Sequence, residues 1–189
     1  MSQSFIRPHA GKITPMESAK KENLRETLSS HRPHSSQGLT ENLIRLTLEL
    51  NAETIACYWP LPSEPDTTDF NNWVELLGKT LLTPRIVGDT LEFASGPASK
   101  ATMGILEPSG PAVNLNTAEL ILVPAMAVDN LGNRLGKGRG YYDRALFGSS
   151  VPRFAVIFDE EFLELVPTED HDLRMNGSVS PSAIRYLNN

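Results

Sequence analysis

Residues 120–144 read LILVPAMAVDNLGNRLGKGRGYYDR, and they indicate the fold class more clearly than any other part of the chain. It begins with four consecutive apolar residues, 120–123, which lack the polar alternation of a strand with one face in solvent. Such a run is typical of a strand buried on both faces of a parallel sheet. A turn at 129–132, a glycine-rich segment and a helix start at Tyr141 follow. A strand, a glycine-rich turn and a helix in this order predict an α/β protein.

The glycine-rich segment alternates three glycines with two cations before an aromatic pair and a carboxylate. Glycine lets the backbone approach a ligand without a side chain in the way, so successive amides can close around phosphate oxygens. The start of the following helix favours an anion at the same place. The whole chain carries a formal net charge of -6, so a cationic segment points to a bound anion. The candidates are Arg134, Leu135, Gly136, Lys137, Gly138, Arg139 and Gly140 for the anion and Asp143 for a metal ion.

Composition limits the size of the core, the cellular compartment and the kinds of partner that can be expected. The chain has 189 residues and is 40% hydrophobic, which is enough for one good core. A single cysteine, Cys57, excludes an internal disulfide and favours a reducing, cytoplasmic compartment. No apolar run approaches the roughly 20 residues of a membrane span, and the net negative charge argues against general nucleic-acid binding. Residues 1–15 mix Pro, Gly, Ser and basic residues and predict a flexible tail before one domain over 16–189.

The first half of the chain predicts helices on either side of a short buried strand. A helix begins at Glu17, with Leu24 and Leu28 on one face, and a second is expected to be capped by Thr40. A strand over 54–59 follows. The next helix, 68–77, is expected to turn Trp73, Leu76 and Leu77 inward.

The second half supplies further strands. Residues 81–87 predict a strand whose Pro84 implies an edge position or a strand end, and 90–93 pairs back as a hairpin. Strands over 154–158 and 177–180 flank a short helix at 159–165. The expected architecture is a single-domain three-layer α/β sandwich, with a mostly parallel central sheet between helices.

Several residues keep two interpretations when each is considered alone. Glu64 follows a strand end, where ligands bind in open α/β sheets, but a solvated loop carboxylate is equally ordinary there. Asp66 is a candidate cap for the next helix, and Asp129 a candidate for shaping its own turn. Glu107 either faces the site or bonds to local backbone. Asp143 and Arg144 are also compatible with a surface ion pair.

The stretch from 120 to 144 resembles the 5-formyltetrahydrofolate cyclo-ligases, whose pattern is an apolar strand, Pro, a small residue, Asp, and then R-L-G-x-G-x-G-Y-Y-D. The resemblance extends over roughly residues 20–180 in order. It includes K-x-x-L-R at 21–25, the strand and loop at 58–67, and G-I-x-E-P at 104–108. The resemblance implies an α/β sheet packed between helices. It also implies ATP-dependent cyclisation of 5-formyltetrahydrofolate to 5,10-methenyltetrahydrofolate, with ADP and phosphate as the other products.

The resemblance also implies residue roles. It places Lys21, Arg25 and Tyr142 with the loop residues 134–141 at the nucleotide. It places Arg25, Trp59, Glu64, Lys137 and Tyr141 at the folate. Lys137, Arg139 and Tyr141 are then the candidate catalytic residues, and Asp143 and Asp172 the candidate ligands of Mg²⁺. A monomer acting on a small molecule is expected.

Two other functions stay open at this stage. Pro65 follows Glu64, at a position where members of the family often carry Val or Ile. This difference leaves open a related ligase or kinase that acts on another heterocycle. A nucleotide-binding regulatory protein without turnover is the second. That protein would be expected to lose Asp143 or the loop cations, all of which are present. Val128 and the pair Ala125-Met126 also depart from the family pattern, as changes of packing.

Overall fold

The computed structural model describes residues 15–33, 35–100, 106–169 and 172–187. The predicted tail therefore lies outside the described residues apart from the backbone of Pro15, and the domain boundary at 15/16 stays a prediction. The helices are α1 (Pro15–Ser30), α2 (Leu39–Glu49), α3 (Thr68–Leu76) and α4 (Tyr141–Ala145), with 3₁₀ turns at Leu115–Thr117 and Asp159–Glu161. No helix in the described part of the chain combines the length and the apolar character needed to cross a membrane.

The strands form one large sheet and two small ones. The large sheet has the order β13-β12-β10-β7-β1-β2-β3-β6. Its strands are β1 (Thr54–Ala56), β2 (Thr80–Val87), β3 (Thr90–Ala94), β6 (Ala112–Val113), β7 (Leu120–Pro124), β10 (Arg153–Val156), β12 (Gly177–Val179) and β13 (Ile184–Tyr186). The remaining strands are β4 (Ala98–Lys100), β5 (Leu106–Pro108), β8 (Ala127–Asp129), β9 (Arg134–Leu135) and β11 (Phe162–Leu163).

The centre of the large sheet is parallel. All neighbours from β12 through β10, β7 and β1 to β2 pair in parallel, and antiparallel strands lie only at the two edges. The predicted α/β architecture with a mostly parallel central sheet is confirmed.

Strand β7 is buried on both faces, as its apolar run predicts. Leu120 and Leu122 belong to the core cluster that holds α2 and α3 against the sheet. Ile121 and Val123 point the other way, into the cluster that contains Leu146 at the end of α4. All four side chains are at most 1% exposed. Alternation between two cores, rather than between core and solvent, explains why the run contains no polar residue.

Two helix predictions are wrong in detail. Thr40 does not cap α2, because Gly38 occupies the cap position with φ +92° and no side-chain cap bond. A side chain at Gly38 would meet the Pro181 carbonyl, since an added Cβ would lie 2.6 Å from that oxygen. In α3 the residues that turn inward are Phe70 and Val74 together with a half-buried Trp73. Leu76 and Leu77 are 84% and 58% exposed.

Two further expectations are corrected by tertiary pairing. Strand β2 is interior, between β1 and β3, although its pairing with β1 ends at Leu82 and leaves Pro84 paired only with β3. The missing N–H of Pro84 therefore costs no bond to β1. The expected helix at 159–165 is a 3₁₀ turn followed by β11. Glu161 causes this change, because its buried carboxylate accepts from the Phe158 N–H and pairs with Arg32 at 2.7 Å.

The direction of chain growth reverses between β1 and β7. From β1 the chain continues to β2 on one side, whereas β7 returns to the other side of β1 and is followed there by β10. The loops that leave the carboxyl ends of β1 and β7 therefore diverge and leave a crevice between them. Ligands of open α/β sheets bind at such a switch point.

Candidate active site

A cavity of about 560 Å³ opens at this switch point. Residues after β1 (Tyr58, Trp59) and at the end of β7 (Pro124, Ala125) form its base. Side chains from α1, the β2–β3 hairpin and the glycine-rich segment form its walls, together with Glu169 and Asp172. The volume lies within the range of pockets that bind small-molecule ligands and cofactors.

Every residue predicted from the sequence to act at the site lines this one cavity. The set is Lys21, Arg25, Trp59, Glu64, Arg134, Leu135, Gly136, Lys137, Gly138, Arg139, Gly140, Tyr141, Tyr142, Asp143 and Asp172. The structure therefore brings together residues separated by up to 151 positions in the sequence. Their individual roles stay predictions.

The glycine-rich segment turns sharply at two of its glycines. Gly138 and Gly140 have φ of +91° and +65°, in the left-handed region that other residues rarely adopt. Gly138 also lies against Arg25, since an added Cβ would lie 3.3 Å from the Arg25 guanidinium carbon. Arg25 in turn donates from Nε to the Gly136 carbonyl at 2.9 Å. Arg25 thus supports the segment from α1.

Arg134 and Asp143 close the base of the segment with a largely buried ion pair. Arg134 Nη2 lies 3.0 Å from both carboxylate oxygens of Asp143, and Nη1 donates to the Pro124 carbonyl at 3.3 Å. The exposed fractions of the two side chains are 5% and 21%. The interpretation of Asp143 and Arg144 as a surface ion pair is wrong, because the cation that pairs with Asp143 is Arg134.

Lys137 and Glu64 join the other end of the segment to the loop after β1. Lys137 Nζ lies 2.8 Å from Glu64 Oε1, across 73 residues of sequence. Glu64 is held in place by its own turn, in which Oε2 accepts from the Leu61 N–H at 2.9 Å. Only 8% of the Glu64 side chain is exposed, so it is not the solvated carboxylate that its loop position also permitted.

Pro65, which differs from the residues expected at this position, does not move Glu64 out of the cavity. Pro65 is buried, and its carbonyl accepts a bond of 3.0 Å from the buried Tyr58 hydroxyl. Thr67 and not Asp66 occupies the cap position of α3, but Asp66 accepts from the Thr68 N–H at 2.9 Å and so stabilises the start of the helix from one residue further out. The proline therefore lies in a turn that is bonded at both of its ends.

Lys21 attaches α1 to the far wall of the cavity. Its ammonium nitrogen lies 2.9 Å from Glu169 and 2.5 Å from Asp172, and the residue is 6% exposed. Below it, Leu24 and Leu28 pack on a small apolar cluster with Leu135. Lys21 and Arg25 of α1 therefore line the cavity, whereas Lys20 is exposed and pairs with Glu17. Glu169 was missed by sequence reasoning, although an acid three residues before Asp172 is a signal that could have found it.

Five cations and five carboxylates line the cavity among the described residues, so the acidic groups balance the basic ones. The carboxylates of Glu64, Asp143 and Asp172 each pair with a cation from another part of the chain. Arg139 differs, because its exposed guanidinium has no hydrogen-bond or ion-pair partner within the described ranges. Positive charge available to an added anion is thus concentrated at the outer end of the glycine-rich segment.

Aromatic side chains complete the walls. Tyr142 packs edge-on against Phe93 of β3, with ring centroids 6.4 Å apart. Burial, and next the nearby Glu64 carboxylate, raise the pKa of Tyr142 well above its usual 10, so the hydroxyl stays protonated at neutral pH. The indole N–H of Trp59 is buried without a hydrogen-bond partner within the described part of the chain. A buried donor left unpaired is unusual and suits a ligand acceptor.

Two residues with open interpretations are now placed. Glu107 lines the cavity, as one of its interpretations predicts, and the bond of 3.3 Å that it accepts comes from the Ile86 N–H of β2 and not from local backbone. Asp129 shapes its turn, as one interpretation predicts. Its carboxylate accepts from the N–H groups of Leu131 and Val166 and from the backbone and side chain of Asn133.

The carboxylates that line the cavity fit a magnesium ion whose other ligands come from a bound phosphate group. Within the described residues no three His, Cys, Asp or Glu side chains are grouped closely enough to hold a metal ion. Mg²⁺ bound to phosphates, however, commonly takes only one or two carboxylates from the protein. Asp143 and Asp172 match that pattern and not an all-protein cage.

Fold and cavity together define an α/β protein whose ligand cavity lies at a switch point and is built around a glycine-rich loop. Over residues 17–181 the sequence matches the family model described as the 5-formyltetrahydrofolate cyclo-ligase family. The chain therefore belongs to the 5-formyltetrahydrofolate cyclo-ligase family, and the sequence-based identification of family and of enzyme class is confirmed.

Individual relatives agree with this assignment. The 5-formyltetrahydrofolate cyclo-ligase of Mycolicibacterium smegmatis is 33% identical over 148 residues, which cover 71% of this chain and 76% of that protein. The enzyme of the same name from Haemophilus influenzae is 26% identical over 164 residues, covering 79% and 88%. The structure of the 5,10-methenyltetrahydrofolate synthetase of Aquifex aeolicus superposes with a TM-score of 0.76 at 27% identity and covers 89% of this chain and 93% of that one.

Proposed function

We propose that the cavity at the switch point carries out the ATP-dependent cyclisation of 5-formyltetrahydrofolate to 5,10-methenyltetrahydrofolate. The observation that carries this proposal is the convergence of α1, the loop after β1 and the glycine-rich segment on one cavity. The family implies the reaction. The contacts within the cavity support a division of labour between its two ends.

The nucleotide belongs at the glycine-rich segment. Left-handed backbone at Gly138 and Gly140 opens a turn whose amides can approach phosphate oxygens. Lys137 and Arg139 are the exposed cations beside that turn, and they balance the charge of the triphosphate. Lys21, Arg25 and Arg134 support the same end from below, each with at least one contact inside the protein.

The folate belongs at the end of the cavity that contains Glu64. A buried carboxylate held by its own turn is suited to accept from the N–H groups of a pterin ring. Trp59 offers a flat face and an unpaired indole N–H, and Tyr141 lies at the junction with the glycine-rich segment. Lys137 touches both ends, because it pairs with Glu64 from within the segment.

The chemistry needs positioning and charge balance more than a reactive side chain. The formyl group on N5 is an amide, and its oxygen leaves poorly until it accepts the γ-phosphoryl group of ATP. N10 then attacks the formyl carbon and loses its proton to solvent, the ring closes and the C–O bond to phosphate breaks, so no covalent bond to the protein is required. The protein holds the two substrates in line, while Lys137 and Arg139 stabilise charge that develops on the transferred group.

Mg²⁺ enters this proposal as the ion that the nucleotide brings. Asp143 would hold it first and Asp172 second, and the ion would neutralise charge on the phosphate oxygens. Since both carboxylates already pair with cations, Arg134 and Lys21 respectively, we expect them to share their oxygens rather than to release those partners. We also propose that the protein is a cytoplasmic monomer that acts on this small molecule and binds neither nucleic acid nor membranes.

The direct test is an assay with 5-formyltetrahydrofolate, ATP and magnesium, read from the near-ultraviolet absorbance band of the methenyl product. Growth of the band only when both ATP and magnesium are present is the expected result. Absence of product in the complete mixture, with the protein folded, contradicts the proposal. In that case binding of ATP alone in calorimetry would keep the nucleotide site and leave a ligase for another heterocycle or a regulatory protein without turnover as the remaining functions.

A further inference from the structure

Arg144 joins two segments of the cavity wall that are far apart in the sequence. Its Nε donates to the Asp89 carbonyl at 2.7 Å, and its Nη2 donates to the Arg139 carbonyl at 2.8 Å. Asp89 lies in the turn between β2 and β3, whereas Arg139 lies in the glycine-rich segment. One guanidinium therefore bridges the tip of the hairpin to the proposed phosphate loop.

The same guanidinium shapes the last turn of the loop. Its central carbon lies 5.5 Å from the centroid of the Tyr141 ring, within the range of a cation–π contact. Its Nη1 lies so near Gly140 that an added Cβ would be 2.8 Å away. Gly140 thus has two reasons to be glycine: its positive φ and the closeness of Arg144.

Both bridged segments contribute to the cavity, but Arg144 does not. Ile86 and Leu91 of the hairpin line the cavity, as do Arg139 and Tyr141 of the loop. Arg144 lies behind them and is absent from the cavity lining. Within the described residues Arg144 contacts two backbone carbonyls and one ring and no carboxylate, so its effect on the site is exerted through the backbone and Tyr141.

We propose that Arg144 is a positioning residue that sets the width of the cavity between the β2–β3 hairpin and the glycine-rich loop. This inference rests on the proposed function, because the loop is assigned there to the nucleotide. A planar guanidinium can donate in two directions while its face covers a ring, which a lysine ammonium cannot reproduce. The geometry therefore calls for arginine at this position and not merely for a positive charge.

The test compares Arg144→Met, Arg144→Lys and the control Arg45→Met. Arg45 suits the comparison because it is an exposed arginine on α2 whose ion pair with Glu49 lies outside the cavity. We expect Arg144→Met to raise the KM for ATP about tenfold with a smaller change in kcat, as for a displaced positioning group. Arg144→Lys should recover only a minor part of that loss, and Arg45→Met should match the unchanged protein.

Calorimetry with a non-hydrolysable ATP analogue is run beside the assay. It should show the same weakening in Arg144→Met, while thermal melting shows that the fold persists. A KM and an analogue Kd within twofold of the unchanged protein in Arg144→Met would overturn the inference, and so would full recovery in Arg144→Lys. If the unchanged protein forms no methenyl product, the proposed function fails, and analogue binding alone then decides whether Arg144 shapes the loop.

Discussion

The inner and outer ends of the glycine-rich segment carry similar cations in opposite surroundings. Arg134, at the inner end, is 5% exposed, and its guanidinium pairs with Asp143 and donates to the Pro124 carbonyl. Lys137 and Arg139, at the outer end, are exposed, and Arg139 has no partner within the described ranges. A run of cations in one motif can therefore contain both a structural support and the groups that contact a ligand.

The largest effect is expected at the inner end. Arg134→Met leaves the partly buried Asp143 carboxylate without its cation, and breaking such a pair costs about 3 kcal/mol of unfolding free energy. Urea denaturation followed by circular dichroism measures the change. Arg139→Met, the control from the outer end, should change it by less than about 0.5 kcal/mol. Equal losses in the two variants would remove the distinction between the ends.

At the outer end the effect should appear in catalysis instead. Lys137→Met removes a charge beside the proposed phosphate site and should lower kcat/KM about a hundredfold, the usual cost of losing one such group. The unfolding free energy should fall by less than in Arg134→Met, because the Glu64 carboxylate, 8% exposed, keeps its bond from the Leu61 N–H when Lys137 is removed. Lys20→Met, at an exposed lysine paired with Glu17, is the matched control. Unchanged turnover in Lys137→Met would remove Lys137 from the catalytic role and leave it only as the ion-pair partner of Glu64.

The smallest expected effect is that of alanine at Gly140. Comparing it with alanine at Gly148 distinguishes the effect of backbone strain from that of crowding by a neighbouring side chain. Gly140 and Gly148 both have positive φ, +65° and +77°, so alanine at either should cost about 1 kcal/mol of stability. Only Gly140 is crowded, by Arg144, whereas a Cβ at Gly148 meets nothing within 4 Å. We expect several-fold lower activity in Gly140→Ala alone. Matching kinetics in the two variants would show that Arg144 gives way without disturbing the loop.

Local patterns predicted most of the fold and failed where distant segments intervened. The apolar run 120–123 identified the central strand because both of its faces are buried, which is a property of the run itself. Thr40 failed as a cap because the Pro181 carbonyl, far along the chain, requires glycine at position 38. The helix at 159–165 failed because Arg32 holds Glu161 inward. None of these long-range contacts leaves a trace in local periodicity.

At the candidate site, too, the sequence did not reveal contacts between distant segments. Family motifs were sufficient to name residues that prove to share one cavity. They did not indicate that Asp143 pairs with Arg134, that Glu64 pairs with Lys137, or that Glu169 joins Lys21. Ion pairing depends on the distance between side chains in the folded chain, and a motif records only residue type and spacing. The bridge made by Arg144 was missed for the same reason.

The attachment of α1 has a consequence for how the protein is made. Lys21 finds its carboxylate partners 148 and 151 residues later in the chain, and the apolar cluster beneath it needs Val166. A helix of 16 residues is only marginally stable alone in water. During synthesis α1 leaves the ribosome early, but the residues on which it packs follow only after almost the whole chain has been made. The cavity therefore closes only near the end of synthesis, and α1 should be the first wall to open in hydrogen exchange.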